Sequence, residues 1–151
     1  MDSASPVEEV SRLADPLDDL LGYWLRRAST AMMADLGTSL AQAELRPTEA
    51  TILILIRANP GLTQSDIGRV LGIARANMAP LMGGLLKRGF IQKSRVDGRS
   101  QSLALTESGI AKVGAAQMII DAHEARFRER FDAALLPDMI VALRSLAGGE
   151  A

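Results

Sequence analysis

The sequence predicts a mainly α-helical chain with one small β-hairpin, in the order helix, helix, helix, helix, hairpin, helix, helix. Three observations predict this α+β arrangement. Apolar residues recur at helical spacing through most of the chain. Two short alternating segments, Phe90–Ser94 and Ser102–Leu105, flank the turn-forming dipeptide Asp97-Gly98. A helix pair hinged at Gly72 runs directly into that hairpin, which is the layout of a winged helix-turn-helix.

Residues 1–14 are polar and acidic without clear periodicity and read as a mobile tail or a short extra helix. Asp15-Pro16 is a helix start, because Asp can cap, Pro fits the first position, and Asp18 and Asp19 suit the positive end of the helix dipole. Leu17, Leu20, Leu21, Trp24, Leu25, Ala28, Ala31, Met32 and Leu36 then give an amphipathic helix to about Ala41. The run Thr51–Ile56 alone suits a buried strand or a buried helix. Pro47, Thr48 and Glu49 as a first turn, and the stop at Asn59-Pro60-Gly61, decide for a helix.

Thr63-Gln64-Ser65-Asp66 fits a capping box at the start of a short helix with Ile67, Val70 and Leu71 on its buried stripe and Gly72 as its stop. A further helix is expected from about Ala74 to Lys87, ending at Gly89. Pro80 falls inside it, so either the helix kinks there or its regular part begins later, near Asn77. Gly83 and Gly84 each cost about 1 kcal/mol relative to Ala. After the hairpin, Thr106 caps a long helix to about Phe131 with Ile110, Val113, Ile120, Phe127 and Phe131 on one side, and a last helix follows Pro137. His123 lies in the charged stretch Asp121–Arg130 and reads as part of a solvated face laced with helix ion pairs.

Composition bounds the chemistry. With no cysteine and one histidine, disulfide staples, thiol catalysis and a zinc site of the usual ligands are excluded. No nucleophile–base pair, metal-ligand cluster or phosphate-binding glycine loop is present, so neither an enzyme nor a cofactor is expected. The absence of a spanning apolar run or a signal-peptide pattern gives the expectation of a cytoplasmic protein with no membrane partner. A net charge of −1 over 151 residues argues weakly against nucleic acid as a whole-chain average. Resolved by segment it does not: residues 45–106 hold nine basic and three acidic side chains, a net of +6, and the flanks carry the remaining −7.

Several ordered blocks resemble the MarR family of bacterial transcriptional regulators. They are Leu45-Arg46-Pro47-Thr48-Glu49, Gly61-Leu62-Thr63-Gln64-Ser65-Asp66-Ile67, Leu71-Gly72-Ile73, Lys87-Arg88-Gly89-Phe90-Ile91, Asp97-Gly98-Arg99 and Leu103-Ala104-Leu105-Thr106-Glu107-Ser108-Gly109. The resemblance implies a homodimer with a first dimerisation helix at 15–44, a winged DNA-binding domain at 45–106 and C-terminal dimerisation helices at 107–151. It further implies a repressor on a palindromic operator in double-stranded DNA, released by a small, aromatic effector. On that reading Arg75 and Asn77 of the recognition helix reach base edges, Arg with guanine and Asn with adenine. Arg99 enters the minor groove, oriented by Asp97, while Lys93 and Arg95 anchor phosphates. Ala74 replaces the family's usual Ser or Thr cap, a loss of about 1 kcal/mol. Tyr23, Trp24 and Arg27 are the candidates for an effector site, with dimer core and solvated face as the alternative. Two other readings are a winged helix used for protein contact, favoured by Met78, Leu81 and Met82, and a DNA-binding protein without an inducer.

Overall fold

The computed structural model describes residues 15–96 and 100–148; the 1–14 tail, the Asp97-Gly98 turn with Arg99, and 149–151 lie outside the described residues. Among the described residues the elements are α1 (Leu21–Ala41), α2 (Pro47–Ala58), α3 (Gln64–Leu71), α4 (Arg75–Lys87), β1 (Ile91–Val96), β2 (Ser100–Leu105), α5 (Glu107–Arg128) and α6 (Leu136–Leu146). They follow in the expected order. Two compact units divide the chain, one up to Met33 and one from Ala34 onward, with α1 running through the boundary.

In the first unit the helix expected from Pro16 begins only at Leu21. Asp15 does accept from the Leu17 amide (3.0 Å), but it closes a separate turn in which Leu20 N donates to Leu17 O (3.0 Å). The Asp18 carbonyl, which a continuous helix would give to the amide four residues on, instead accepts from the Trp24 indole Nε1 at 2.7 Å. The side chain of Trp24 thus ends the turn and fixes the entry to α1.

The second unit contains the core. The helix reading of Thr51–Ile56 holds: Ile52, Leu53 and Ile56 of α2 are buried with Ala50, and they meet Ile67 of α3, Met78, Met82 and Leu85 of α4, Ile91 and Leu103 of the hairpin, and Val113 and Ala116 of α5. The capping box forms as expected, with Asp66 N donating to Thr63 Oγ1 (3.2 Å) and Thr63 N to Asp66 Oδ2 (3.1 Å). Gly72 ends α3 in the left-handed region, φ 64°, where a side chain would be strained. Met78 and Met82 lie in the core, so they do not form the exposed apolar face that a protein-contact module needs.

α4 starts at Arg75 with Pro80 inside it, and the later start near Asn77 is not adopted. Ala74 at its N-cap makes no side-chain hydrogen bond. The antiparallel hairpin pairs Ile91 with Leu105 through Val96 with Ser100, so 97–99 connect the strands. Leu103 N donates to Leu62 O (2.9 Å), and Thr63 pairs with Ser102, so the α2–α3 connection adds a short third rung to the sheet.

Thr106 caps α5 by accepting from Gly109 N (3.0 Å). The expected stripe on α5 holds at Val113, which is buried, and at Ile120, which packs against the core, but Ile110 and Phe131 are exposed, and Gly109, Ala116 and His123 face inward. The cause is Gly109, whose missing side chain lets the Phe90 carbonyl press against the helix; a Cβ there would overlap that oxygen. With Gly109 facing inward, the rotation of α5 is set. His123 is correspondingly not on a solvated face. It is 3% exposed, its Nε2 lies 3.5 Å from Asp35 Oδ2, and its ring packs on Phe127. Arg126 also reaches Asp35 (2.5 Å) across to α1, while Arg128 and Glu124 form the expected pair within the helix (3.5 Å).

Two glycines give opposite expectations. Gly109→Ala forces backbone to move and should destabilise by about 3 kcal/mol, whereas a Cβ at Gly83 meets nothing and Gly83→Ala should stabilise by about 1 kcal/mol. Urea unfolding at one protein concentration measures both.

The capping box also sets a pH dependence. The Thr63 hydroxyl and amide, with Arg69 beside them, hold the Asp66 carboxyl below its ordinary value of 3.8. A depressed folded-state pKa contributes stability that is present above 3.8 and lost as pH falls through the folded value. Thermal melts should therefore show Asp66→Asn less stable than the parent at neutral pH, with the difference vanishing in strong acid.

Candidate nucleic-acid interface

Between α3, α4 and the hairpin lies a cleft of about 670 Å³. Its floor is Gly68, Ile73, Met78 and Leu103, and its walls carry Arg69, Arg75 and Lys93 with the neutral donors Gln64, Ser65 and Gln101. Each wall follows from local structure. Gln64 and Ser65 are the first two residues of α3 after the Thr63 cap. Arg75 opens α4 one residue after Ala74. Lys93 sits opposite Leu103 in the hairpin register, and both belong, with Gln101 two positions before Leu103, to the sheet face that turns toward the core at Ile91 and Leu103.

The electrostatics of the cleft are one-signed. Arg69 is bonded to Asp66 at 2.5 Å, whereas Arg75 and Lys93 form no ion pair among the described residues. No carboxylate lines the cleft among those residues. A second cleft of about 520 Å³, between the end of α1, the start of α2 and α4, is balanced instead: Arg46 and Arg88 face Glu44 and Glu49, with Arg88 bonded to Glu49 at 3.2 Å and to the Glu44 carbonyl. The first cleft suits a polyanion, and the second does not.

The structure brings Arg75 and Lys93 together on this cleft. Asn77, exposed on α4, does not line it. Arg95 lies in β1, but its side chain is outside the described residues, as are Asp97 and Arg99 altogether. Gln64, Ser65, Arg69 and Gln101 were not foreseen in the cleft. A signal existed for Ser65 and Arg69, which stand four apart on α3 and so share a flank; Gln101 depends on the hairpin register and had none.

The other candidates lie in the first unit. Arg27 Nη1 donates to Tyr23 Oη (2.7 Å), and its guanidinium stands 5.5 and 5.6 Å from the Tyr23 and Trp24 ring centres. With the Trp24 indole bonded to Asp18, these three residues form one cluster along the start of α1. Among the described residues no group of histidines and carboxylates could hold a metal ion, and no helix is long and apolar enough to cross a membrane.

Comparison with known proteins bears on the whole arrangement. The model of the MarR family matches residues 44–100. The solved transcriptional repressor CouR is similar at 32% identity, covering 87% of this chain and 94% of that one, with a TM-score of 0.79. CouR bound to a 23-mer DNA duplex matches at 30% identity over 96% and 99% of the two chains (TM-score 0.79). CouR bound to p-coumaroyl-CoA does so at 30% over 90% and 97% (TM-score 0.81). Among curated proteins no sequence matches. The fold is the winged helix of these relatives, the +6 segment coincides with the family match, and the likeness spans nearly the full length: the chain belongs to the MarR family of transcriptional regulators.

Proposed function

We propose that the protein is a homodimeric repressor that binds a palindromic operator in double-stranded DNA and leaves it when a small aromatic ligand binds. The observation that carries the DNA reading is the one-signed cleft, where two cations without acidic partners among the described residues, one on a helix and one on the hairpin, line the gap between those elements. The DNA-bound form of CouR, at 30% identity, supports it. The contact residues proposed are Arg75, Asn77, Lys93, Arg95, Asp97 and Arg99. The wing arginine Arg99 is assigned to the minor groove by family resemblance, with Asp97 to orient it.

The proposed organisation is a winged domain at 45–106 held between dimerisation helices at 15–44 and 107–151. Support comes from the apolar side chains that a single chain leaves exposed at both ends: Leu17, Leu20, Leu21 and Trp24 in the first unit, and Leu135, Val141, Leu143 and Leu146 around α6, a helix with no buried residue. A second copy of the chain would cover them.

Release works as a population shift. A ligand that prefers one spacing of the two winged domains moves the dimer toward it, typically with 1–3 kcal/mol of coupling (about 5–150-fold). Tyr23, Trp24 and Arg27 offer two rings and a guanidinium for an aromatic acid or thioester, and the p-coumaroyl-CoA complex of CouR supports that ligand class.

A salt-titrated mobility shift on the DNA flanking the protein's own gene tests the reading. Binding is expected to fall steeply with salt, and Arg99→Ala should weaken it and reduce the slope by about 1.8, one contact for each protomer of the dimer; no retention at any ionic strength overturns it. A thermal-shift screen of aromatic acids, phenols and acyl-CoA thioesters is expected to yield a stabilising compound that lowers operator affinity. A stabilising compound that leaves operator affinity unchanged refutes induction by that compound.

A further inference from the structure

Arg75 and Asn77 do not share a flank of α4. Arg75 stands one turn before the buried Met78 and lines the cleft with it, on the flank that faces the hairpin. Asn77, at about 100° per residue, falls on the other flank and outside the cleft. The ridge between them, opposite the buried Met78, Met82 and Leu85, consists of Ala76, Pro80 and Gly83. None of these three has a side-chain donor or acceptor, and the next polar residue along it is Lys87.

We propose that the cleft seats one sugar-phosphate strand, with Arg75 and Lys93 gripping phosphate from opposite walls and Gln101 as a neutral donor beside them. This deepens the DNA reading above and rests on it. It moves Arg75 from base reading to backbone anchoring and leaves Asn77 as the hydrogen-bonding reader of α4. A helix lying in the major groove and a hairpin reaching past it are separated by the strand that borders the groove, so the gap between them is where phosphates pass. Two like charges lining one cleft repel, and an anion between them turns that cost into attraction on both sides. Gln101 shares the sheet face of Lys93 and projects beyond the core into the same space. An amide cannot match the charge, but it can donate to a phosphate oxygen.

The test uses the full chain and two duplexes: one enriched from a random-sequence pool by the wild-type protein, and a shuffled duplex of the same composition. Affinity is titrated against salt for both. Arg75→Ala should weaken both duplexes alike, by at least about tenfold, and lower the salt slope by about 1.8, one phosphate for each protomer of the dimer. Arg75→Lys, which keeps the charge, should restore the slope. Gln101→Ala should weaken both duplexes with the slope unchanged. Asn77→Ala should reduce the ratio between the duplexes by about tenfold and leave the slope alone. If Arg75→Ala collapses the ratio while the shuffled duplex and the slope stay as in the parent, Arg75 reads a base and the inference is overturned. If Gln101→Ala changes neither duplex, its part in the seat falls. A parent protein that retains neither duplex even at low salt overturns the DNA reading and this inference together.

Discussion

The geometry of the winged domain depends on how the first turn of α5 meets the turn between α4 and β1. Gly109 lies against the Phe90 carbonyl, which also accepts from the Thr106 amide at 3.1 Å, and the Thr106 and Ser108 hydroxyls both donate to the Gly89 carbonyl at 2.5 and 2.8 Å. On the other side of the same turn, the Phe90 ring is flanked by Arg88 at 4.8 Å and Lys112 at 5.1 Å. This junction fixes where the hairpin leaves α4. Because Lys93 is only three residues along β1, it also fixes how far the lysine stands from the start of α4, and hence the width of the basic cleft.

A second constraint ties the far end of the same assembly. The rung between Leu62–Thr63 and Ser102–Leu103 joins the base of α3 to β2, and the capping box at Thr63 orients the first turn of α3 from the same point. The helix pair and the hairpin are thus held at both edges by backbone hydrogen bonds over a shared apolar core. Such a unit moves as one piece, since bending it would break buried hydrogen bonds as well as core contacts. The charge segregation has a physical complement here: the +6 segment is the part built to keep its shape, and the −7 falls on the flanking sequence.

Much of this was legible in the residues, and most of what was not shares one cause. Local signals decided well: Thr63 with Asp66, the Gly72 stop, Pro47 at the start of α2 and the Thr106 cap act within a few residues of chain. Long-range contacts did not show. The rotation of α5 is set by a carbonyl 19 positions earlier in the sequence, so Ile110 looked like core and is not, and His123 looked solvated and is buried beside Asp35. The start of α1 was misjudged because the Trp24 indole, in the first turn of the helix, takes a carbonyl of the preceding turn. The cleft shows both cases: Arg75 and Lys93 could be named from their helix and strand, but a two-residue turn at Asp97-Gly98 would have set Val96 opposite Arg99. The pairing with Ser100 is what brings Gln101 opposite Arg95 and onto the face of Lys93.

The ridge of Ala76, Pro80 and Gly83 has an evolutionary consequence. At Gly83 and at its neighbour Gly84, an added side chain would meet open space rather than protein, and neither backbone is in a conformation reserved for glycine. Mutations there are therefore tolerated by the fold, and most gain helix propensity. Under the proposed DNA reading, a surface this blank can acquire new base contacts one substitution at a time without first losing stability. Divergence of DNA preference after gene duplication would start at these positions, while the cleft proposed to carry general affinity stays in place.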